Sequence, residues 1–269
     1  MKRSIPALSC LVLLLSTLGT AQAIPLSNLF NGASLTIGDK LFDQWTPVFQ
    51  GSSDGRTINT SNIDVTTLGP VGPNPLDPGR GLRFTVLNNE LTVTGDGIFA
   101  YLDLKFGFRV SALDPGFKIK DNFLVSGSSL SRLADGNNDL GTYILETIGT
   151  AAGLADLGIK DVEASVLNDV VNFDLTDAAT FSPQRDIWVT KNILVWSQDI
   201  GDTAALNVFE QRFSQTQAVP EPGMLALLGV AGLAGCLTRR RTPGVLAIEA
   251  GALSGAWQQP GLRPPHRGQ

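Results

Sequence analysis

The segment from Leu102 to Val110 alternates strictly, with apolar residues at even positions and polar residues or glycine at odd positions. Successive side chains of a β-strand point to opposite faces, so a period of two over this length predicts a strand with one buried face. The segment from Ile187 to Trp196 is apolar at both parities and rich in β-branched residues, which predicts a strand covered on both faces. Shorter strands are predicted at 34–37, 63–68, 82–87, 91–94, 117–125, 162–166, 171–175 and 208–213.

Turn residues separate these predicted strands. Asn88 and Asn89 tolerate positive φ and predict a hairpin between the two strands that flank them. Asp114-Pro115-Gly116 predicts a further reversal, and the Ala/Gly-rich stretch 140–157 has no clean period and is expected to hold one short helix. Strands joined by turns without helical crossovers predict a mainly β fold, an antiparallel, jelly-roll-like β-sandwich.

The N-terminus has the three parts of a secretory signal peptide. Lys2 and Arg3 precede a leucine-rich apolar run, and the small residues Ala21 and Ala23 follow it. We expect a signal peptidase to cleave after Ala23, so that residues 1–23 are removed. A buried N-terminal helix is the alternative interpretation.

The C-terminal region carries a Pro-Glu-Pro triplet, a short apolar run and an arginine cluster. These blocks are Pro220, Glu221 and Pro222, then 224–237, then Arg239, Arg240 and Arg241. The fourteen apolar residues are fewer than the ~20 that span a bilayer comfortably, so a buried core helix is also open on hydropathy alone. The prolines separate the run from preceding structure and the arginines favour the cytoplasmic side, which predicts one short membrane helix.

These three blocks resemble the PEP-CTERM sorting domain of Gram-negative bacteria over residues 219–241. The resemblance implies an exported protein that is held transiently at the inner membrane and processed by an exosortase. It implies recognition of the Pro-Glu-Pro triplet and a cytoplasmic stop at the arginine cluster. The implied context is a bacterium that makes exopolysaccharide or biofilm matrix.

Beyond the arginine cluster the chain adds residues 242–269, whereas members of that family usually end within a few residues of the cluster. This tail is rich in proline and glycine and lacks a periodic apolar face, so we expect it to be disordered. It contains the single histidine of the chain, His266.

The remaining segment, 24–218, has the size of one domain with its own core. Because the cysteines are Cys10 and Cys236, this segment contains neither Cys nor His. A Ser-His-Asp or Cys-His nucleophilic site therefore cannot be built there, and zinc or copper sites normally use His or Cys. The function classes that remain for this segment are catalysis by carboxylates, catalysis by a Ser-Lys pair, or no catalysis. The proline-rich stretch 71–81 is interpreted as a loop within this domain, with a linker as the alternative.

The same segment carries 23 acidic and 13 basic residues, a net charge of −10. Such a surface repels phosphate backbones, so nucleic-acid binding is not expected.

One loop offers oxygen ligands for a hard cation. Asp135, Asn137 and Asp139 lie at alternate positions, and Glu146 is the twelfth residue counted from Asp135, as in a calcium-binding EF-hand loop. Leu140 occupies the sixth position, where that loop requires glycine. The alternative is an Asx-rich surface turn. Calcium is the one cofactor that the sequence suggests.

Three tryptophans are candidates for stacking against sugar rings: Trp45, Trp188 and Trp196. Trp188 and Trp196 are eight residues apart, so on an unbroken strand they face the same side. Because their neighbours are mostly apolar, core packing is the favoured alternative.

These observations favour an exported, exosortase-processed cell-envelope or extracellular-matrix protein without catalytic activity. The expected location is the inner membrane as a precursor and then the cell surface or the medium. The first alternative is a carbohydrate-binding or adhesive module, with extracellular polysaccharide as the partner. The second is a carboxylate-dependent glycosidase, although no spacing singles out two of the many acidic residues.

Overall fold

A computed structural model describes residues 23–133 and 139–218. Within these ranges the chain forms fourteen strands, one short helix, α1 (Leu26–Phe30), and a 3-10 turn (Thr60–Asn62). The strands are β1 (Ile24–Pro25), β2 (Leu35–Ile37), β3 (Lys40–Ser52), β4 (Ile63–Leu68), β5 (Gly81–Val86), β6 (Thr92–Thr94), β7 (Ala100–Ala112), β8 (Phe117–Ser131), β9 (Leu140–Gly149), β10 (Gly158–Leu167), β11 (Val170–Asp174), β12 (Thr176–Gln184), β13 (Asp186–Ser197) and β14 (Thr203–Gln217).

The strands pair antiparallel into two sheets. The first sheet has the order β1-β4-β5-β14-β8-β12, with β6 also paired to β14, and the second has the order β11-β10-β9-β13-β7-β3-β2. This arrangement confirms the predicted mainly β fold built from two antiparallel sheets.

The core lies between the inner faces of the two sheets. From Ala100 to Val110 the even residues of β7 are buried and the odd ones are partly exposed, as the alternation predicts. Phe84 of β5 stacks on Phe209 of β14 with ring centroids 4.4 Å apart, and Trp45 of β3 stacks on Phe108 of β7 at the same distance. Removing these large apolar surfaces from water supplies the main driving force for bringing the sheets together.

The expected helix within 140–157 is instead the strand β9. Its even positions face the core, but one of them is Glu146, which interrupts the apolar period. A charged residue normally marks an outward position, so the fully buried Glu146 breaks the alternation of apolar and polar residues by which a strand is predicted from sequence. The partners of Glu146 explain why it is tolerated there.

Asn88 and Asn89 adopt φ of 55° and 53°, as predicted for turn residues. The predicted hairpin is nevertheless absent, because β5 and β6 both pair with β14 and lie end to end along it. Both strands are antiparallel to β14, so the chain continues in one direction after the turn. The stretch 71–81 connects β4 to β5, which pair with each other, so it is a loop within the sandwich.

No helix among the described residues is long and apolar enough to cross a membrane. The predicted signal peptide up to Gln22, the C-terminal membrane helix and the tail 242–269 lie outside the described ranges. Ala23 is exposed, and Ile24 begins β1.

Candidate functional site

The outer face of the second sheet carries two of the three candidate tryptophans. On β13 the odd residues up to Val195 face the core, so Trp188 and Trp196 point outward together, as their spacing predicts. Trp196 is only 8% exposed because it lies over Gly141, where an added Cβ would be 2.6 Å from the indole ring. Trp188 is half-buried. Trp45 faces the other way and belongs to the core, so it does not contribute to an aromatic platform.

A β-bulge shapes the surface beside Trp188. Asp43 of β3 pairs with Arg109 of β7, whereas Thr46 pairs with Gly107, so β3 holds one more residue than its partner between these pairs. Gln44 lies in this bulge with a φ of 52° and is exposed. Bulges redirect side chains, and this one places the Gln44 amide at the edge of the outer face.

A cleft of about 340 Å³ lies between the bulge and β13. Gly107 forms part of its floor and, having no side chain, leaves space between Thr46 and Thr190, which flank it in the sheet register. The polar and aromatic side chains around the cleft are Gln44, Thr46, Lys105, Thr147, Trp188 and Thr190. The cleft therefore combines an indole with hydroxyl, amide and ammonium groups, which is the chemistry of a site for a polar ligand with an apolar face.

An ion pair supports Trp188 at one end of the cleft. The Arg109 guanidinium donates to both carboxylate oxygens of Asp43, at 2.9 and 2.7 Å. This pairing raises the pKa of Arg109 above its ordinary value, so the group stays charged. Its central carbon lies 5.9 Å from the centroid of the Trp188 ring. A cation at this distance is attracted by the ring, which helps to hold the indole in place.

A second group of polar side chains lies in the core, and we call it the buried lysine cluster. It consists of Lys160, Glu146 and Lys191 from the second sheet and Asn122 and Gln211 from the first. Lys160 and Lys191 pair in register with Glu146 on either side, which puts the three charges in one row. All five side chains are at most 1% exposed.

The Glu146 carboxylate is the centre of this cluster. Its Oε1 accepts from Asn122 Nδ2 at 2.5 Å and from Gln211 Nε2 at 2.7 Å, and it lies 3.2 Å from Lys160 Nζ. Its Oε2 accepts from Lys191 Nζ. Lys160 Nζ also donates to Asn122 Oδ1 at 2.5 Å. Every contact needed to compensate a buried carboxylate is therefore present.

Burial and neighbouring charges shift the pKa values of the cluster. Burial lowers the pKa of Lys160 to about 8, and the charge of Lys191 adds to this effect although Glu146 opposes it. Burial also lowers the pKa of Lys191. Burial alone would raise the pKa of Glu146, but the charges of Lys160 and Lys191 outweigh it and keep that pKa below its ordinary value.

The structure separates two of the residues that the sequence grouped as calcium ligands. Asp139 immediately precedes β9, whereas Glu146 lies within β9, seven residues after Asp139. Along a strand these two residues are about 23 Å apart at 3.3 Å per residue. Asp139 accepts a hydrogen bond from the backbone of Asn168, and Glu146 is sealed in the core. One ion cannot contact both carboxylates. Asp135 and Asn137 lie outside the described residues, and within those residues no three His, Cys, Asp or Glu side chains gather to hold a metal.

Sequence reasoning missed the lysines of the cluster, although one signal was present. Lys191 occupies an odd position in the predicted strand 187–196, whose other odd residues are apolar and buried. A lysine on the inward parity of a strand indicates a buried charge that needs a partner. Lys160 gave no such signal, because β10 was predicted only from residue 162 onward.

Comparison with known proteins identifies the C-terminal segment. Residues 218–241 match the family model of the PEP-CTERM protein-sorting motif, which confirms the resemblance found in the sequence. No curated protein matches the chain. Among solved structures, the chain has similarity to TmCBM61 in complex with beta-1,4-galactotriose, with 11% identity, a TM-score of 0.23, and coverage of 65% of this chain and 89% of that one. At that TM-score the likeness carries no conclusion about this chain.

Proposed function

We propose that this protein is an exported, exosortase-processed component of the cell envelope or extracellular matrix, without catalytic activity. The observation that carries the proposal is the PEP-CTERM motif at 218–241, which implies export and processing of a membrane-anchored precursor by an exosortase. The predicted signal peptide at the other end of the chain agrees with this route. The β-sandwich between the two signals is then the part that acts outside the cell.

The position of three ionisable groups with shifted pKa values supports a role without catalysis on a substrate. Glu146, Lys160 and Lys191 are hydrogen-bonded to each other or to core amides and lie between the two sheets. A diffusing substrate does not reach groups in this position. The outer cleft, in contrast, is open to solvent and carries hydroxyl, amide and indole groups, which suit binding better than bond cleavage.

The sorting assignment is tested by Glu221→Ala in the full chain, expressed in a host that contains an exosortase. We expect the unaltered chain to be shortened at the C-terminus and to leave the membrane fraction, and the variant to stay unprocessed in that fraction. Glu249→Ala, which changes a glutamate beyond the arginine cluster, is the matched control and should be processed normally. Normal release of Glu221→Ala would contradict the assignment.

A second candidate function, saccharide binding, is favoured by the cleft beside Trp188. A pyranose ring has an apolar face that stacks on an indole and hydroxyls that exchange hydrogen bonds with side chains such as Gln44, Thr46 and Thr190. The bulge in β3 and the glycine at position 107 make room for such a ring. This candidate is compatible with the first, because a matrix protein needs a surface that holds polysaccharide.

Saccharide binding is tested with the purified protein on a glycan array and by calorimetry with the best ligand. Trp188→Ala should weaken binding by about tenfold, the equivalent of 1.4 kcal/mol of lost stacking. Phe99→Ala removes an aromatic residue that is 47% exposed and does not line the cleft, so it should leave the affinity unchanged. An equal loss of saccharide affinity in both variants would exclude the cleft as the binding site. Release of reducing ends from any glycan would indicate the glycosidase alternative instead.

A further inference from the structure

The buried lysine cluster brings an amine against an amide carbonyl in the core of the sandwich. Lys160 Nζ lies 2.5 Å from Asn122 Oδ1. Since a C=O bond is about 1.2 Å long, Asn122 Cγ lies within about 3.7 Å of that nitrogen. A nucleophile and a carbonyl carbon held near this distance are close to an attack geometry.

From this arrangement we propose that Lys160 and Asn122 become joined by an intramolecular isopeptide bond, formed by the folded protein itself with Glu146 as the group that transfers protons. Lys160 belongs to β10 of the second sheet and Asn122 to β8 of the first. The bond therefore connects the two sheets covalently through the core.

The amine is activated by its surroundings. Burial and the neighbouring Lys191 bring the pKa of Lys160 to about 8, so that the neutral form is far more accessible than on an exposed lysine. A desolvated lysine beside a second cation is a recognised way to obtain an amine nucleophile. The 1% exposure of Lys160 also keeps out the water that would compete for the carbonyl carbon.

Glu146 contacts both nitrogen atoms that exchange protons. Its Oε1 lies 3.2 Å from Lys160 Nζ and accepts a hydrogen bond of 2.5 Å from Asn122 Nδ2. The carboxylate takes a proton from the Lys160 ammonium, and the neutral amine then attacks Asn122 Cγ. One Nζ–Cγ bond forms and the electrons of the carbonyl double bond move to Oδ1.

The leaving group is ammonia. Glu146 first gives its proton to Asn122 Nδ2. It then takes a second proton from Lys160 Nζ, and the Cγ–Nδ2 bond breaks as the carbonyl re-forms. The second proton leaves with the ammonia, so that an ammonium ion is released and Glu146 is a carboxylate again. A lysine ammonium and an asparagine amide thus become one secondary amide and one ammonium ion, with no oxidant or further reactant.

The charge balance of the core favours this reaction. Before it, two ammonium groups share one carboxylate, so the cluster holds one uncompensated positive charge. A buried charge without its own partner strongly destabilises a fold. After the reaction Lys191 and Glu146 form a neutral pair, and the excess charge has left with the ammonium ion.

The other buried lysines are less suited to the same step. Lys191 donates to the carboxylate of Glu146, and a carboxylate has no amine that could leave as ammonia. Lys40 does donate to an amide oxygen, Gln215 Oε1 at 2.5 Å, but the nearby carboxylate of Asp39 is 21% exposed and so remains open to water. Among the lysines that the structure describes, Lys160 alone combines complete burial with contacts from the amine to an amide oxygen and to a carboxylate that also accepts from the amide nitrogen.

The bond is tested by peptide mapping of the full chain after denaturation and digestion with trypsin. Asn122 lies in the peptide 121–132, and an unmodified Lys160 separates the peptides 133–160 and 161–185. We expect 121–132 joined to 133–185, with no cleavage after Lys160 and a mass lower by one ammonia molecule. Recovery of the three separate peptides at their sequence masses would overturn the proposal. A link between Lys191 and Glu146, with a mass lower by one water molecule, would overturn the proposal as well.

Variants test the roles of the three groups. Lys160→Arg removes the nucleophile, and Glu146→Gln keeps both reacting side chains but not the proton transfer, so both should lose the linked peptide completely. Lys105→Arg changes a lysine on the outer face of the same sheet and should retain it. A folded Glu146→Gln protein, as judged by circular dichroism, that still contains the link would refute the role of Glu146. The peptide map of the unaltered chain decides the proposal even where a variant fails to fold.

Discussion

Lys40 offers a measurable consequence of burying a charge in this core. It begins β3, is fully buried, and donates to Gln215 Oε1 at 2.5 Å. Burial lowers its pKa from 10.5 to about 8, against a smaller opposing effect of Asp39, which lies 3.8 Å away. The folded protein therefore binds the proton of Lys40 less tightly than the unfolded chain does.

The sign and size of the effect follow from this difference. Below pH 8 the lysine is charged in both states, and the folded state bears the full penalty. Between pH 8 and 10.5 the folded state loses the proton first, so the penalty disappears and the free energy of unfolding rises with pH. A shift from 10.5 to about 8 corresponds to about 3 kcal/mol at 1.36 kcal/mol per pH unit.

The measurement compares the unaltered protein with Lys40→Met by urea unfolding at intervals from pH 7 to pH 10.5, followed by tryptophan fluorescence. The difference in unfolding free energy between the two should change by about 3 kcal/mol in favour of the unaltered protein as the pH rises through this window. Lys118→Met, which removes an exposed lysine, is the matched control for the loss of one lysine. Parallel pH profiles for the unaltered protein and Lys40→Met would refute the reasoning.

Two further predictions concern packing. Phe84→Ala should lower the free energy of unfolding by about 3–5 kcal/mol, because the side chain is fully buried and stacks on Phe209 with ring centroids 4.4 Å apart. If urea unfolding shows a loss below about 1 kcal/mol, the core closes over the cavity and the prediction is wrong. Gly141→Val should destabilise the protein by about 1–3 kcal/mol, since its Cβ would lie 2.6 Å from Trp196 and 2.8 Å from the carbonyl oxygen of Ala164. The same variant should shift the fluorescence of Trp196 toward that of an exposed indole, and an unchanged spectrum would contradict the placement of the ring.

The sequence was sufficient where a strand keeps its period. β7 was predicted closely because its apolar and polar residues alternate from 102 to 110. β13 was located correctly, but its outward face is half-buried and not covered as predicted. β3 was missed because its buried residues Phe42 and Trp45 are three apart across the bulge at Gln44, which destroys the period of two. The order of the strands could not be read at all, since the partners of β14 are fixed by packing between distant segments.

The candidate sites were likewise predictable where residues close in the chain form them, and not where distant strands contribute. The spacing of Trp188 and Trp196 predicted their shared face, but the cleft depends on a bulge and a glycine contributed by other strands. Glu146 was predicted as a candidate calcium ligand, because it is the twelfth residue counted from Asp135. Its true partners lie on four other strands, and only the pairing of β9 with β10 and β13 brings the lysines to it.

The location of β14 has a consequence for the timing of export. It is the last strand in the chain, yet it lies inside the first sheet, paired with β5 and β6 on one side and β8 on the other. The first sheet therefore stays split until residue 217 has left the translocation channel, and the core on that side of the sandwich stays open until then. We expect chains that end before Thr203 to be digested rapidly by added protease; a truncated chain as resistant as the complete one would show that folding does not wait for the final strand.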